Sequence, residues 1–412
     1  MSLRFSFLQA FNQSVNRILN QQADTFRTQN QISSGKKILV PSDDPVGAAR
    51  IIQLDQEQSQ IDQYLDNIIT ANNRLGLEET QISEVQNILF RLREITVNAG
   101  NGTIGQSERQ GLAAEVQSRL EQLVDLANTR DASGEFIFSG FSGSTKPFVD
   151  VGSGNYQYQG DEGQRFVSIA ITTKVAISDS GKEVFEDIQA AQNSFFARPN
   201  ASNTGAATIS PGLVTDQALY NGFYPEDYNI TFAVPANTYS VTQKSNGAIV
   251  AGPTAYTPGQ PIDIDLTASR GFRLTVSGTP ANSDNFQIES TPKQSLLTTM
   301  GRLVEGLETL TDTTLDKATL DQLLADTLTN LDFAETRMSE IRSKIGARFN
   351  VLDGIQDMQD GIKLINSEIL SEVRDLDYAE ALSRLSQQTF ALEASQQSYA
   401  RISNLSLFNF LR

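Results

Sequence analysis

The 412-residue sequence contains no cysteine, no histidine and no tryptophan. Without cysteine, the chain can form neither a disulfide nor a thiolate metal site. Without histidine, it lacks the usual general base near neutral pH and the base of a serine-protease triad. The composition therefore disfavours an enzyme, and we expect no catalytic residue, no bound cofactor and no metal site.

The charge of the chain is strongly unbalanced, because 32 Lys+Arg stand against 49 Asp+Glu and give a net charge of −17. Such a polyanion repels phosphate groups, so we expect it to bind neither nucleic acid nor an anionic membrane. No apolar run approaches the roughly 18 residues that a membrane-spanning helix needs. The first residues lack the apolar core and the cleavage site of a signal peptide, so we expect no cleaved leader.

The 12 prolines are unevenly distributed, with nine between residues 199 and 292 and none in the last 120 residues. Proline interrupts helices and central strands. The distribution therefore predicts helices towards both ends of the chain and β structure in its middle. Period-two alternation, as in residues 228–234, indicates short antiparallel strands there.

Apolar residues recur every seven positions in two long segments, which is typical of helices that pack on other helices. In the first segment, a companion row that runs three positions after the apolar row is interrupted by Glu57 and Glu78. Because neither stripe can be buried by its own helix, we predict that the chain folds back and pairs the two segments. The first row is Leu54, Ile61, Ile68, Leu75, Ile82 and Leu89. The second is Leu331, Met338, Ile345 and Leu352, with Ala334, Ile341, Ile355, Ile362 and Ile369 as its companion.

These patterns predict a mainly α fold with a β insertion, of the α+β class. We expect residues 1–33 and 376–412 to form a terminal coiled-coil domain. Residues 34–200 with 291–375 are predicted to form a helical bundle with a β hairpin region. Residues 201–290 are predicted to form a small antiparallel β domain.

The two ends of the chain are poor in charge, and their heptad rows contain Gln and Thr. Helices of this kind bury little apolar surface as an isolated pair, yet other helices can surround them without burying many charges. We therefore expect both ends to be mobile in a monomer and to become ordered in an assembly. The candidate interface residues are Leu8, Phe11, Val15, Ile18, Leu382, Leu385, Leu392 and Tyr399, with an apolar tip of Leu405, Leu407, Phe408, Phe410 and Leu411.

Short motifs that could carry chemistry are incomplete. Residues 140–146, GFSGSTK, lack the glycine spacing of a phosphate-binding loop. The acidic pairs Asp43/Asp44 and Asp375/Asp377 lack the spacing of a calcium loop, so we interpret them as capping and surface residues. Glycoside hydrolysis needs only two carboxylates, so the composition does not exclude this activity. No pattern in the sequence supports it.

Four segments of the sequence resemble the flagellin superfamily. Residues 31–49, QISSGKKILVPSDDPVGAA, are similar to its Ser-Gly turn and Asp-Asp loop, and residues 372–382, EVRDLDYAEAL, to its acidic segment before the last helix. Residues 126–148 and 405–411 resemble the hook–filament junction proteins of this superfamily more than flagellin. The family loop motifs contain Pro41, Asp43, Asp44, Pro45, Asp375, Asp377 and Glu380.

The resemblance implies a structural adaptor at the hook–filament junction of the bacterial flagellum. It implies that the terminal coiled-coil helices join the hook-side hook-associated junction protein to flagellin, in a ring with other copies of the chain. It also implies type III export to the cell exterior without a cleaved signal peptide, assisted by a cytoplasmic export chaperone. Two alternatives stay open, namely flagellin itself and, less strongly, a surface protein that binds or hydrolyses carbohydrate through the insertion.

Overall fold

The computed structural model describes residues 7–234 and 236–410, and these form an α+β fold, which confirms the predicted class. The long helices fall at the two ends of the chain, where proline is rare. They are α1 (Phe7–Ser34), α2 (Pro45–Ala99), α3 (Gln106–Ala127), α6 (Leu296–Thr309), α7 (Thr314–Arg374) and α8 (Tyr378–Phe410). Two short helices, α4 (Gln217–Phe223) and α5 (Thr267–Arg270), lie in the proline-rich middle.

Two small hairpins follow α3. The first pairs β1 (Phe148–Gly152) with β2 (Asn155–Tyr158), and the second pairs β3 (Phe166–Ser168) with β4 (Lys174–Ala176). A π-helical turn, Lys182–Glu186, leads from them into the β domain. These elements form the β hairpin region that the sequence predicts.

The β domain consists of two antiparallel sheets around one aromatic core. The larger sheet has the order β10-β9-β8-β13-β5, and in the smaller sheet β12 pairs with β11, β6 and β7. Phe195, Tyr228, Phe272 and Phe286 belong to the core, where ring packing adds to the burial of apolar area. The strands are β5 (Ile188–Pro199), β6 (Thr208–Ile209), β7 (Leu213–Val214), β8 (Tyr228–Ala233), β9 (Thr238–Gln243), β10 (Ile249–Ala255), β11 (Ile262–Asp265), β12 (Phe272–Ser277) and β13 (Asn285–Gln294).

Strand β5 lies at an edge of the larger sheet, and side chains cover its main-chain groups. The Ala191 amide donates to Asn330 Oδ1 at 2.7 Å, and Arg302 Nη2 donates to the Phe195 carbonyl at 2.5 Å. Desolvation lowers the pKa of Arg302 to about 10. Because these main-chain groups are already bonded, this edge of β5 is protected against pairing with a strand of another chain.

The described chain divides into two compact units. The first unit joins the chain up to Asp66 to the chain from Ile355 onward, and the second comprises Asn67–Gly354. Helices α2 and α7 contribute to both units. In the first unit α1 also packs on α8, whereas the second unit contains α3, α6 and all the strands.

Helices α2 and α7 are antiparallel, and polar contacts along them show this within each unit. In the second unit, Arg342 donates to Glu79 Oε1 at 2.9 Å, whereas Arg93, later in α2, pairs with Asp332, earlier in α7. In the first unit, Lys363 Nζ lies 2.7 Å from Asp62 Oδ1. The predicted fold-back is therefore confirmed, and the row from Leu54 to Leu89 is buried throughout.

The second heptad row departs from the prediction beyond Leu352. Ile362, which the sequence places on the buried companion row, is 40% exposed, so that assignment is wrong. The row that starts at Leu331 continues instead through Gln359 and Asn366, which are both buried. Asn366 Nδ2 contacts Glu57 Oε2 at 3.5 Å, so the polar interruption of α2 faces a polar residue of α7.

Glu78, the second charged interruption of the α2 stripe, belongs to a buried ionic cluster. Asp179 accepts two hydrogen bonds from Arg348 of α7, at 2.7 and 2.8 Å. The Asp179 amide donates to Glu78 Oε1 at 3.2 Å. Burial, followed by the negative charge of Asp179, raises the pKa of Glu78 well above its ordinary value. The arginine thus bonds to Asp179, and Glu78 joins the cluster through the Asp179 amide.

The paired stripes give a first prediction. Leu75→Asp or Ile345→Asp buries an unpaired charge and should lower the free energy of unfolding by about 3–5 kcal/mol. Thermal unfolding followed by circular dichroism measures this effect. The matched control is Phe90→Asp on the same α2 helix, because Phe90 is 51% exposed and should tolerate the charge. A wild-type transition in both buried-site variants would contradict this packing.

The Glu78 cluster gives a second prediction. Because the folded-state pKa is raised, protonated Glu78 contributes stability that is fully present below the ordinary pKa of about 4.3. This contribution is lost as the pH rises through the folded-state pKa. Glu78→Gln stays neutral, so the variant should become more stable than the wild type as the pH increases.

Unfolding by heat between pH 4.5 and 8.5 tests the pH dependence of Glu78. The control is Glu84→Gln, since Glu84 is an exposed carboxylate of the same α2 helix. Parallel pH curves for Glu78→Gln and the wild type would show that the Glu78 carboxyl does not titrate abnormally.

Candidate assembly site

A short β bridge joins the turn after α1 to the segment before α8. The Lys37 amide donates to the Arg374 carbonyl at 2.8 Å, and the Leu376 amide donates to the Gly35 carbonyl at 3.0 Å. Gly35 has a φ of +70°, a left-handed conformation that glycine adopts without strain and that commonly ends a helix. We call this region, residues 34–45 with 374–378, the joint, and it lies within the first unit.

Asp44 starts helix α2. Its Oδ1 accepts the amide hydrogens of Val46 and Gly47 at 3.1 and 3.0 Å, which makes it the N-cap. Pro45 follows as the first helical residue, where its missing N–H costs nothing. The cap confirms the capping interpretation of this acidic residue.

Asp43 organises the loop that precedes α2. Its Oδ2 accepts the amide hydrogen of Leu39 at 3.1 Å and that of Val40 at 3.3 Å. Its Oδ1 lies 2.6 Å from Arg27 Nη2, which connects the loop to α1. Pro41 occupies the second position of the turn that the Asp43 amide closes on the Val40 carbonyl. The two aspartates therefore shape the joint through hydrogen bonds.

The acidic residues before α8 have the same role. Asp377 Oδ1 accepts the amide hydrogens of Ala379 and Glu380 at 2.8 and 3.2 Å and so caps α8. Asp375 accepts a hydrogen bond from the Ser371 hydroxyl at 2.8 Å, and this bond lowers the pKa of Asp375. The exposed Glu380 carboxylate lies 3.9 Å from Arg384. The structure thus brings the family motif residues up to Asp377 together at the joint, and Glu380 follows in the first turn of α8.

The α1–α8 seam is tightest beside the joint. Thr25, Thr28 and Gln31 of α1 are buried there, and Ala381 of α8 is fully buried. Further out, the predicted interface residues are only half-buried. These are Val15, Ile18, Leu385, Leu392 and Tyr399.

Leu382 lies outside this seam. Its side chain is 52% exposed, whereas Ala381 faces the partner helix. Buried and half-buried positions follow Ala381 at alternating intervals of four and three residues, which leaves Leu382 on the outer face. Leu382 is therefore not a contact of the seam, and its role towards other chains stays a prediction.

The first unit exposes large apolar side chains that the heptad rows did not identify. Phe26 and Phe390 are 55% and 75% exposed, and Leu19, Leu364 and Ile365 are also more than half exposed. Single exposed apolar residues are normal, but this number on a few helices marks a candidate interaction surface. A search for apolar residues beside each heptad row would have found them.

Some predicted contacts fall outside the described side chains. These are Leu8 and Phe11 near the start of α1, and Leu405, Leu407, Phe408 and Phe410 near the end of α8. Leu411 follows the last described residue. Their assignment to an interface stays a prediction.

Within residues 7–234 and 236–410, no group of three or more His, Cys, Asp or Glu side chains is placed to hold a metal ion. In the same part of the chain, no helix combines the length and the apolar character that crossing a membrane requires.

Two family models match the chain. The bacterial flagellin N-terminal helical region matches residues 5–142, and the bacterial flagellin C-terminal helical region matches residues 328–411.

Flagellar hook-associated protein 3 of Escherichia coli K12 is 32% identical over 186 residues, which are 45% of this chain and 58% of that protein. Flagellin B of Vibrio anguillarum is 27% identical over 173 residues, which are 45% of its length. The chain thus spans 58% of the length of its curated hook-associated relative.

Solved structures extend the similarity across the fold. Hook-associated protein 3 of Legionella pneumophila is 31% identical, with 78% of this chain and 98% of that chain covered and a TM-score of 0.53. FlgL of Xanthomonas campestris is 28% identical, with 77% and 99% coverage and a TM-score of 0.51. Because the helical regions, the joint and nearly the whole Legionella structure correspond, the chain belongs to the flagellin superfamily and, within it, to the hook-associated protein 3 (FlgL) family.

Proposed function

We propose that the chain is a structural, non-enzymatic adaptor at the hook–filament junction of the bacterial flagellum. The observation that carries this proposal is the terminal helix pair, whose seam is polar while apolar side chains lie on its outer face. Such a pair gains little from its own packing and gains more when neighbouring helices cover it. Membership of the hook-associated protein 3 family supports the same role.

Polar groups of the α1–α8 seam support this interpretation. Gln21 Oε1 and Gln388 Oε1 are buried without a hydrogen-bond partner among the protein atoms. A buried polar atom without a partner costs roughly 1–3 kcal/mol. The isolated pair is therefore weakly stabilised, which suits a segment that becomes ordered during assembly.

The adaptor proposal assigns the partners. Copies of the chain form a ring through the terminal helices, with the hook-side hook-associated junction protein on one side and flagellin on the other. In this proposal residues 1–33 and 376–412 form the inner tube, and the insertion of residues 201–290 lies on the outside. The chain reaches the cell exterior by type III export without a cleaved signal peptide, and a cytoplasmic chaperone binds it before export.

Flagellin is the second candidate, favoured by the similarity to flagellin B of Vibrio anguillarum. Flagellin polymerises by itself into long filaments, whereas an adaptor needs its two neighbours. Electron microscopy of the concentrated purified protein separates the two, because long filaments of this chain alone would favour flagellin.

The half-buried part of the α1–α8 seam, away from the joint, gives a third prediction. The sequence predicts that both ends are mobile over their whole length, and the structure restricts this mobility to the parts far from the joint. Backbone amides on α1 before Val15 and on α8 after Leu392 should exchange hydrogen within seconds in the monomer. Amides near Gln31 and Ala381 should exchange more slowly, because their side chains are buried beside the joint. Hydrogen exchange with mass spectrometry on the purified chain measures both regions, and strong protection along the whole pair would refute the expectation.

The apolar tip gives a fourth prediction, which tests the proposed function directly. Deleting residues 403–412 removes the apolar tip of residues 405–411, and aromatic residues often dominate interface energies. Cells that make only the truncated protein should release flagellin into the medium and lack filaments. Electron microscopy and immunoblots of the medium measure these results.

Ser406→Ala with Asn409→Ala is the matched control, because these changes keep every apolar residue of the tip. The culture medium must contain the truncated protein, so that a loss of export is recognised. Normal filaments on cells that secrete the truncated protein would exclude the tip from the junction.

A further inference from the structure

Three asparagines of the chain, Asn101, Asn221 and Asn246, are followed directly by glycine. An asparagine side chain before glycine is open to attack by the next main-chain nitrogen, because glycine has no side chain that hinders the approach. All three asparagines are exposed, so access of solvent does not distinguish them. The hydrogen bonds around each pair do distinguish them.

The helix α4 holds the reacting groups of Asn221 and Gly222 apart. The helical backbone directs the Gly222 amide back along the helix, towards the carbonyl four residues earlier. The Asn221 Oδ1 accepts hydrogen bonds from Asn193 Nδ2 and from Gln217 Nε2, both at 3.1 Å. The side chain is therefore fixed away from the nitrogen that would attack it.

The turn between β9 and β10 protects Asn246 in another way. The Gly247 amide donates to the Gln243 carbonyl at 2.9 Å, and the Ala248 amide donates to Asn246 Oδ1 at 2.8 Å. A main-chain amide that donates a hydrogen bond releases its proton to solvent only when that bond opens. Because an amide nitrogen attacks after it has lost its proton, Gly247 is a poor nucleophile in the folded chain.

Asn101 lies in the loop that joins α2 to α3, and its surroundings favour the reaction. The Asn101 Oδ1 accepts from the Thr103 hydroxyl at 3.0 Å and from the Thr103 amide at 3.3 Å. The Ile104 amide donates to the Asn101 carbonyl at 3.0 Å and closes a turn around Gly102. Within the part of the chain that the structure describes, the exposed Gly102 amide donates no hydrogen bond.

We propose that Asn101 is a site of spontaneous deamidation in the folded chain. The Gly102 nitrogen gives its proton to solvent base and bonds to Cγ of Asn101. The Cγ–Nδ2 bond breaks, and the leaving nitrogen takes up a proton from solvent and departs as ammonia. Water then opens the cyclic imide at either of its two carbonyl carbons, which gives aspartate or isoaspartate.

Thr103 assists this reaction through two donors. Negative charge develops on Asn101 Oδ1 while the new bond forms, and the Thr103 hydroxyl and amide both point at this oxygen. Donors that are already in place stabilise such a charge without rearrangement. The product carries a new carboxylate beside the end of α2, where the helix dipole is already negative. This inference goes beyond the proposed adaptor role and does not depend on it, because it concerns the covalent state of one loop.

Peptide mass spectrometry of the purified full-length chain tests the site. The chain is kept in mildly alkaline buffer, sampled over time and digested under acidic conditions, so that no deamidation occurs during digestion. Each conversion is seen as the mass gained when OH replaces NH2. Asn221 and Asn246 are internal controls in the same sample. Asn101 should convert roughly tenfold faster than either, because the protected sites react only after they open.

Two variants test the chemistry of the loop. Thr103→Val removes the hydroxyl and should slow conversion roughly two- to tenfold, as expected for the loss of one hydrogen bond. Thr103→Ser keeps a hydroxyl and should react at nearly the native rate. Gly102→Ala should slow conversion further, and the fold should accept it, because Gly102 has no left-handed φ and an added Cβ would meet no atom within 4 Å. Circular dichroism of each variant verifies the fold.

Unfolding the chain shows whether the structure is the cause. In concentrated guanidinium chloride the three asparagines should convert at similar rates, since the same dipeptide is then exposed without its native hydrogen bonds. Equal rates in the folded chain, or the same preference for Asn101 in the unfolded chain, would overturn the proposal. An unchanged rate in Thr103→Val would overturn the assistance by the Thr103 hydroxyl.

Discussion

The antiparallel pairing of α2 and α7 is the interaction on which the rest of the structure depends. These two helices contribute to both compact units, and residues far apart in the chain meet along them, such as Glu79 with Arg342 and Asp62 with Lys363. The burial of the row from Leu54 to Leu89 removes apolar area from water, which stabilises the fold by roughly 25 cal/mol per Å². The same pairing places Gly35 beside Leu376, so the joint can form.

Polar residues also lie inside the apolar rows, where they form specific contacts with residues distant in sequence. Glu78, Asp179 and Arg348 occupy a buried site, where the cost of removing ions from water offsets much of the attraction between them. The cluster joins Glu78 of α2 and Arg348 of α7 through Asp179, which lies in the segment after β4, so it links the alignment of the two helices to that segment. In the α1–α8 pair, Gln31 likewise accepts a hydrogen bond from a residue distant in sequence, the Arg384 guanidinium, and it also donates to the Lys37 carbonyl.

The two units differ in ways that suit the proposed adaptor role. The second unit has a conventional apolar core, and its β5 edge is bonded to side chains, which protects that edge against pairing with other chains. The first unit has a polar seam and exposes Phe26 and Phe390. The proposed export and assembly would use this combination, because the stable part gives the chain a defined shape and the weakly packed helix pair stays available for neighbouring chains.

The sequence alone determined the α+β class, the fold-back and the superfamily, because proline spacing, heptad rows and loop motifs are local patterns. It also predicted that Asp44 caps a helix, since capping involves residues three positions apart or fewer. Which residue of a neighbouring pair faces the partner depends on the tertiary structure, as Ile362 and Leu382 show. The roles of Arg348 and Gln31 likewise depend on contacts with residues more than 150 positions away, and no local pattern contains such information.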